Sequence, residues 1–385
     1  MTARRHWSIN GRFLSQPLTG VQRYALEITR ALDHAISVGH PLTKNLTIDI
    51  IVPKQTNQLP ELTAIEARSA GVIGGHLWEQ TVLPRHIHGG LLSLGNTGPI
   101  LTGKQIVCIH DLNVRTYPAS YSLPFRSAYR VLLPAIGKSA TMIATVSAYS
   151  ADDLVRYGIC SHDKIVLAPN GHEHSLRWHP QHSQATLKAA GRNTVVLVGS
   201  LAPHKNMALI TGLAGKLRDA GLRIAVVGIA DAHVFNAQMP ISHVDNISWL
   251  GRLPDGELAA LLRDSLCLAF PSFVEGFGLP VLEAMSTGCP VVASDRASLP
   301  EVCDDAVLYA PPTDTEAWFD RLVQLHRDEP LRQTLIAKGR KRALRFSWKK
   351  SAEVYLRAMA AVDGVVGERF ERANRSELAS ALSMD

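Results

Sequence analysis

Two carboxylates and two glycines stand together in Glu275-Gly276-Phe277-Gly278-Leu279-Pro280-Val281-Leu282-Glu283, just past the apolar run 266–270 and the break Pro271-Ser272. A strand that ends in such a break and gives way to a helix exposes the helix's first N–H groups and its positive dipole end, which together attract anions. Gly276 and Gly278 let backbone approach a ligand closely. Glu275 and Glu283 cannot hold a phosphate, but they can accept hydrogen bonds from sugar hydroxyls. Backbone donors beside hydroxyl-seeking carboxylates suit a phosphorylated sugar.

Three residues elsewhere fit the same chemistry. Lys205 lies between the apolar strand 194–198 and a helix, where an ammonium meets a diphosphate as a point charge; alone it would read as a solvated lysine, and that reading gives way because Gly20, the turn 276–279 and the two glutamates converge on the same ligand type. Gly20 lies between a short strand and a helix, so a phosphate could rest there, and so could a plain turn. His110 ends the strand 105–109, at the edge where open α/β sheets bind ligands, and a capping role fits that place too. Glu79 and Arg85 read as the solvated face of a helix.

These residues need a scaffold of strands and helices in alternation. Apolar strands are expected at 6–10, 46–52, 105–109, 142–146 and 164–168, then at 194–198, 222–227, 247–250, 266–270 and 291–293. Tyr24, Ala25, Ile28 and Leu32 recur at helical spacing after Gly20, and Ser150 reads as the N-cap of a helix carrying Asp152 and Asp153. The tract from 53 to 104 shows little period. The fold class is therefore α/β, with two doubly wound parallel sheets facing a cleft. The N-terminal domain is expected over 1–175 and the second over 190–349, with a helix at about 350–375 returning to the first. The polar stretch 172–192 reads as a linker whose histidines (His172, His174, His179, His182) are exposed rather than metal ligands.

A length of 385 residues suits two ordinary domains, and 46% hydrophobic with 19% charged residues describes a globular chain. No apolar run reaches a membrane span and the start lacks a signal-peptide core, so a cytoplasmic protein is expected. Five cysteines without a Cys-x-x-Cys pair point to buried free thiols. A net charge of +6 without a Lys/Arg block fits small anionic substrates, or peripheral contact with an anionic membrane, and not nucleic acid. Walker A and Gly-x-Gly-x-x-Gly fingerprints are missing, as is Asp-x-Asp, so neither a P-loop, an NAD site nor a metal is expected.

The run from Pro271-Ser272 through Glu275-Gly276-Phe277-Gly278-Leu279-Pro280-Val281-Leu282-Glu283-Ala284-Met285, with Gly288-Cys289-Pro290-Val291-Val292-Ala293 and Leu299-Pro300-Glu301-Val302, resembles the signature of family 4 retaining glycosyltransferases of the GT-B fold, the group 1 glycosyl transferases. Supporting marks are Thr19-Gly20-Val21-Gln22-Arg23-Tyr24, His110-Asp111, Val146-Ser147, Pro169-Asn170-Gly171, Lys205-Asn206 and Leu250-Gly251-Arg252, so the likeness spans nearly all of residues 6 to 360. Trp78-Glu79-Gln80, Leu83-Pro84 and Asn96-Thr97-Gly98-Pro99 resemble a branch of bacterial polysaccharide mannosyltransferases.

The resemblance implies that the second domain, 190–349, holds the nucleotide-sugar donor and the first, 1–175, faces the acceptor. Glu275 would bind the transferred sugar, Glu283 the ribose hydroxyls, the amides of Gly276, Phe277, Gly278 and Leu279 the sugar and phosphate, and Lys205 the diphosphate. Gly20 would abut the diphosphate, His110 would sit beside the sugar, and Arg252 with Leu253 would flank the base. Ser200 stands where the family usually has Arg, and His204 where it often does, leaving Lys205 as the sure cation, with Arg252 or Arg12 as possible substitutes. The implied reaction moves a hexose, mannose being favoured, from a nucleotide diphosphate sugar to a lipid-linked or polysaccharide acceptor in bacterial surface glycan synthesis, with retention and without metal or other cofactor. A non-catalytic sugar-nucleotide-binding scaffold of a polysaccharide assembly complex is the alternative, and a phosphorylase or epimerase of the same architecture a further one.

Overall fold

Trp7, Ser8 and Ile9, consecutive in the first strand, are wholly buried, and so are the consecutive Ile50 and Ile51 of the second to within one per cent, so both faces are covered. Strands covered on both faces in this way belong to a parallel sheet. The computed structural model describes residues 4–56, 59–228 and 245–365. In it the strands β1 (Arg5–Asn10), β2 (Leu46–Pro53), β3 (Glu66–Ala70), β4 (Gly90–Ser93), β5 (Gln105–Cys108), β6 (Met142–Thr145) and β7 (Ile165–Leu167) form a parallel sheet in the order β3-β2-β1-β4-β5-β6-β7. A second parallel sheet joins β8 (Thr194–Val198), β9 (Arg223–Val227), β10 (Ile247–Gly251), β11 (Cys267–Phe270), β12 (Val291–Ser294) and β13 (Leu308–Ala310) in the order β10-β9-β8-β11-β12-β13.

The chain divides into two units. One holds the residues up to Leu112, Ala128–Asn170 and those from Ser347 on; the other holds Asn113–Ser127 and Gly171–Phe346. In the first unit, α1 (Gly20–Ser37) buries Tyr24, Ala25, Ile28 and Leu32, the expected stripe. The helix Trp348–Val362 belongs here: its Tyr355 hydroxyl meets that of Tyr24 at 2.8 Å, and Ser351 Oγ donates to Pro169 O at 2.5 Å. Asp363, just beyond, accepts from Arg5 Nε (2.6 Å) and Trp7 Nε1 (2.9 Å) and pairs with Lys104 (2.7 Å). The helix expected to about 375 ends at Val362, where Asp363 closes it and 363–365 turn away; the expected residues beyond 365 lie outside the described residues. In the second unit Val195, Leu197, Ile224 and Val226 meet Trp318, Leu322 and Leu325 of the helix Thr315–Arg327 in one core.

The units differ from the expected domains at 113–127, which packs with the second unit. There the Ser120 hydroxyl accepts from His204 N at 2.9 Å, Tyr117 stacks on Phe273 (5.4 Å, 15°) and Tyr121 on His204 (5.9 Å, 10°). The stretch 172–192 is not a bare linker either: it holds two short helices, Glu173–Leu176 and Gln184–Ala189, the latter closed by a Ser183–Thr186 capping box. His172 and His174 are buried in it, against expectation, while His179 is exposed. The cap at 148–156 falls on Ser147, whose Oγ accepts from Ser150 N at 3.0 Å. Ser150 turns inward instead and donates to His110 O at 2.9 Å.

Candidate functional site

Strand order decides where ligand chemistry can collect. In the second sheet the chain runs from β8 outward through β9 to β10, then from β11 the other way to β13, so β8 and β11 are neighbours whose C-terminal loops part. Such a reversal opens a crevice at the carboxyl ends of the strands. Lys205 follows β8 and Glu275 follows β11, and the structure brings them together: Lys205 Nζ donates to both oxygens of Glu275, at 2.7 and 2.8 Å. The lysine side chain is 19% exposed and the glutamate 8%. The ammonium also lies 5.6 Å from the centre of the Phe270 ring.

The two loops are tied down around this pair. Asn206 takes a left-handed conformation (φ +53°) and its amide donates to Pro271 O (3.1 Å) and Pro312 O (2.8 Å). Phe273 N donates to His204 O at 2.8 Å, and Ser298 Oγ to Glu275 O at 3.0 Å. Lysine has three donors, so one remains for a ligand beyond the carboxylate. A carboxylate that faces a single ammonium can likewise accept from a hydroxyl. The pair can therefore meet an anionic group and a polyol at adjoining points.

Past Glu275 the chain enters α2 (Leu279–Thr287) through Gly278, whose φ of +94° favours glycine and where an added Cβ would lie 2.8 Å from Leu299. Pro280 removes one N–H from the first turn and no side chain caps the others. Phe277 is buried edge-on against Phe346, 5.3 Å between centres. Glu283, one turn further, does not touch the Lys205 pair: its Oε1 accepts from His174 Nε2 at 2.9 Å. Ser200 is half-buried in the β8 loop, Arg252 is exposed after β10 and Leu253 half-buried beside it. Burial, with the charge of Lys205 adding to it, pushes the His204 pKa down to about 3. His204 is thus neutral near pH 7 and restores no second cation.

The first unit has its own reversal, between β1 and β4. A small pocket there, with a volume of about 10 Å³, is lined by Asn10, Arg12, Phe13, Gln16, Glu79, Gly95 and Thr97. Glu79 was expected on a solvated helix face; instead it is wholly buried in the helix Gly75–Thr81. Its Oε1 accepts from Asn10 Nδ2 (2.7 Å) and Arg12 Nε (3.1 Å), its Oε2 from Thr97 Oγ1 (2.8 Å). Burial alone would raise the Glu79 pKa, but His76, Arg12, Thr97 and Asn10 outweigh it and hold the carboxyl below its usual range. Arg12, a possible second cation in the sequence, is committed to Glu79 and, through Nη2, to Thr97 at 2.9 Å. Arg85 is exposed as expected.

Gly20 opens α1, is exposed, and an added Cβ would meet nothing within 4 Å. His110 lies at the C-terminal end of β5, its ring edge-on to Tyr24 at 4.6 Å and its Nε2 bonded to Leu94 O at 2.9 Å. Burial alone would lower its pKa; nearby Cys108 and the Leu94 carbonyl outweigh it and raise it. With Nε2 spent on a carbonyl, that nitrogen is not a base. The residues that sequence reasoning missed are His174, Glu79 and the aromatic pair Tyr117 and Tyr121. His174 sits on a four-residue helix too short to show a period, and Glu79 owes its burial to Arg12, 67 positions away.

The family model described as glycosyl transferases group 1 matches residues 179–342. The O-antigen chain mannosyltransferase B of Escherichia coli is 27% identical over 368 residues, 87% of this chain and 94% of that protein. The MMP alpha-(1->4)-mannosyltransferase of Mycolicibacterium hassiacum is 30% identical over 342 residues, 83% of this chain and 80% of the other. Among solved structures, sucrose-phosphate synthase from Thermosynechococcus elongatus superposes with a TM-score of 0.66 at 16% identity, over 93% of this chain and 100% of that one. WaaG, a glycosyltransferase involved in lipopolysaccharide biosynthesis, gives 0.65 at 17% identity, with 93% and 100% covered. With two parallel-sheet units and this breadth of similarity, the chain belongs to the group 1 glycosyltransferases and has the GT-B fold.

Proposed function

We propose that this glycosyltransferase moves mannose from a nucleotide diphosphate sugar to a growing glycan, lipid-linked or polysaccharide, in bacterial surface glycan synthesis, retaining the anomeric configuration and needing no metal. The observation that carries the reading is the Lys205–Glu275 pair at the β8/β11 reversal. Lys205 meets the diphosphate and stabilises the charge that builds as it leaves. Glu275 accepts from hydroxyls of the transferred sugar, Glu283 from the ribose, and the backbone of Gly276, Phe277, Gly278 and Leu279 lines the sugar and phosphate. Gly20, Ser200, Arg252 and Leu253 complete the donor's surroundings. His110 forms a fixed wall beside the sugar. The leaving phosphate takes the acceptor's proton on the same face, so no protein nucleophile is required.

Mannose is favoured by the names of two relatives matched over more than four fifths of this chain, both mannosyltransferases. Work at the cytoplasmic face is part of the proposal, and the net charge of +6 supports peripheral contact with anionic lipid there; among the described residues no helix is long and apolar enough to cross a membrane. A scaffold that binds sugar nucleotides without transfer is the second reading, and it draws on Ser200 standing in place of a cation. The test is incubation of the purified protein with GDP-mannose and UDP- and ADP-sugars, with and without EDTA. Release of GDP from GDP-mannose, undiminished by EDTA and yielding an α-linked product by NMR, is the expected result. Binding without release or transfer would favour the scaffold.

A further inference from the structure

We propose that His174 is a positioning residue for donor recognition, holding Glu283 in the orientation that reads the ribose hydroxyls; the proposal rests on the reading of Glu283 given above. A carboxylate only accepts hydrogen bonds, so His174 Nε2 carries the proton and donates it to Glu283 Oε1 at 2.9 Å. The imidazole is 1% exposed and the carboxylate 8%. Among the described residues no other side chain bonds to that carboxylate, whose Oε2 is left to a ligand.

The ring is itself fixed. His174 packs edge-on against Trp178, 5.5 Å between centres. Its neighbour Ser175 donates its one hydroxyl proton to His172 O (2.7 Å), and its Oγ lies 2.9 Å from Ser286 Oγ, from which it can accept. Glu283 and Ser286 are three apart on α2 and so share a face. The short helix Glu173–Leu176 is thereby bolted to α2 at two consecutive points on that face. His172 anchors the start of the segment through Nδ1 to Phe346 O at 2.7 Å. A glutamate side chain free to rotate would lose that freedom on each donor binding; here one oxygen is already fixed and the other aimed. A buried histidine used only as filling would need no carboxylate partner.

The experiment uses the full chain and isothermal titration with GDP and UDP, each beside its 2′,3′-dideoxy form. For whichever nucleotide binds the unaltered chain more tightly, the ribose form should bind about tenfold better than the dideoxy form, as expected for a hydrogen bond to a charged group. His174→Ala should cut that ratio to about twofold while leaving dideoxy binding unchanged, and His174→Gln, which keeps a donor, should restore it. In steady state His174→Ala should raise the donor KM by about fivefold, the same factor by which the ratio falls, with kcat nearly unchanged. Glu283→Ala separates the two claims. If it abolishes the ratio and His174→Ala does not, the positioning role is overturned. If Glu283→Ala keeps the ratio, the ribose reading itself fails. Loss of dideoxy binding in His174→Ala would show a merely structural ring and would also overturn the proposal.

Discussion

Each unit has one place where its strand order reverses, and each place holds a cation bonded to a carboxylate, yet the two pairs are built for opposite ends. In the first unit Arg12 and Glu79 are 8% and 0% exposed, and Asn10 and Thr97 complete the glutamate's hydrogen bonds. In the second, Lys205 and Glu275 have chiefly each other, and the lysine is 19% exposed. A charge pair whose every acceptor is filled is a structural tie; one that leaves donors and an open side is ready to be divided by a ligand. The difference teaches that charge at a switch point does not by itself mark a site. The count of remaining partners does.

The largest effect expected from this contrast is on stability. Glu79→Ala strands the Arg12 guanidinium in the interior and should cost about 3–5 kcal/mol, read as a fall in Tm or in urea midpoint. Glu275→Ala should cost far less, about 1 kcal/mol or below, because Lys205 can turn to water. Equal losses in the two variants would break the comparison.

Next comes pH. The His204 pKa of about 3 lies below its unfolded value, so between about 6.5 and 3 the unfolded chain holds a proton that the native chain does not. The stability that the neutral ring confers is complete above about pH 6.5 and falls as pH drops toward 3, by at most about 1.4 kcal/mol per pH unit. His204→Gln should flatten that slope in chemical denaturation at pH 4 to 6; an unchanged slope would assign it to other groups.

The smallest effect belongs to Gly20. It lies in a helix's first turn with open space around it, so Gly20→Ala should stabilise the first unit by up to about 1 kcal/mol. The same variant should weaken donor binding if a diphosphate rests there. A calorimetric scan together with a donor titration checks both signs.

How much of this was legible in the sequence follows from what is local. Strands such as Leu46–Pro53 and Thr194–Val198 announce themselves as apolar runs, and Lys205 and Glu275 by their places between strand and helix. β3 did not, because an edge strand reading Glu-Ala-Arg-Ser-Ala is polar. β4 opens with glycine and has four residues, and β13 has three, too few for a pattern. Lys205 and Glu275 are 70 positions apart, so their bond to one another depends on β8 and β11 being neighbours, which no local spacing states. Glu79 was misread because Trp78 and Leu83 alone do not say which side of a two-turn helix faces inward.

The central claim is that the divided pair at the second reversal carries the donor. Steady-state transfer from GDP-mannose by Lys205→Ala, with Tm measured on the same preparation, tests it most directly. The account predicts a fall in kcat/KM of at least about 100-fold in a chain that still unfolds in one cooperative transition, with a Tm lowered by the unpaired Glu275 carboxylate but still well above the assay temperature. Turnover equal to that of the unaltered chain would contradict it.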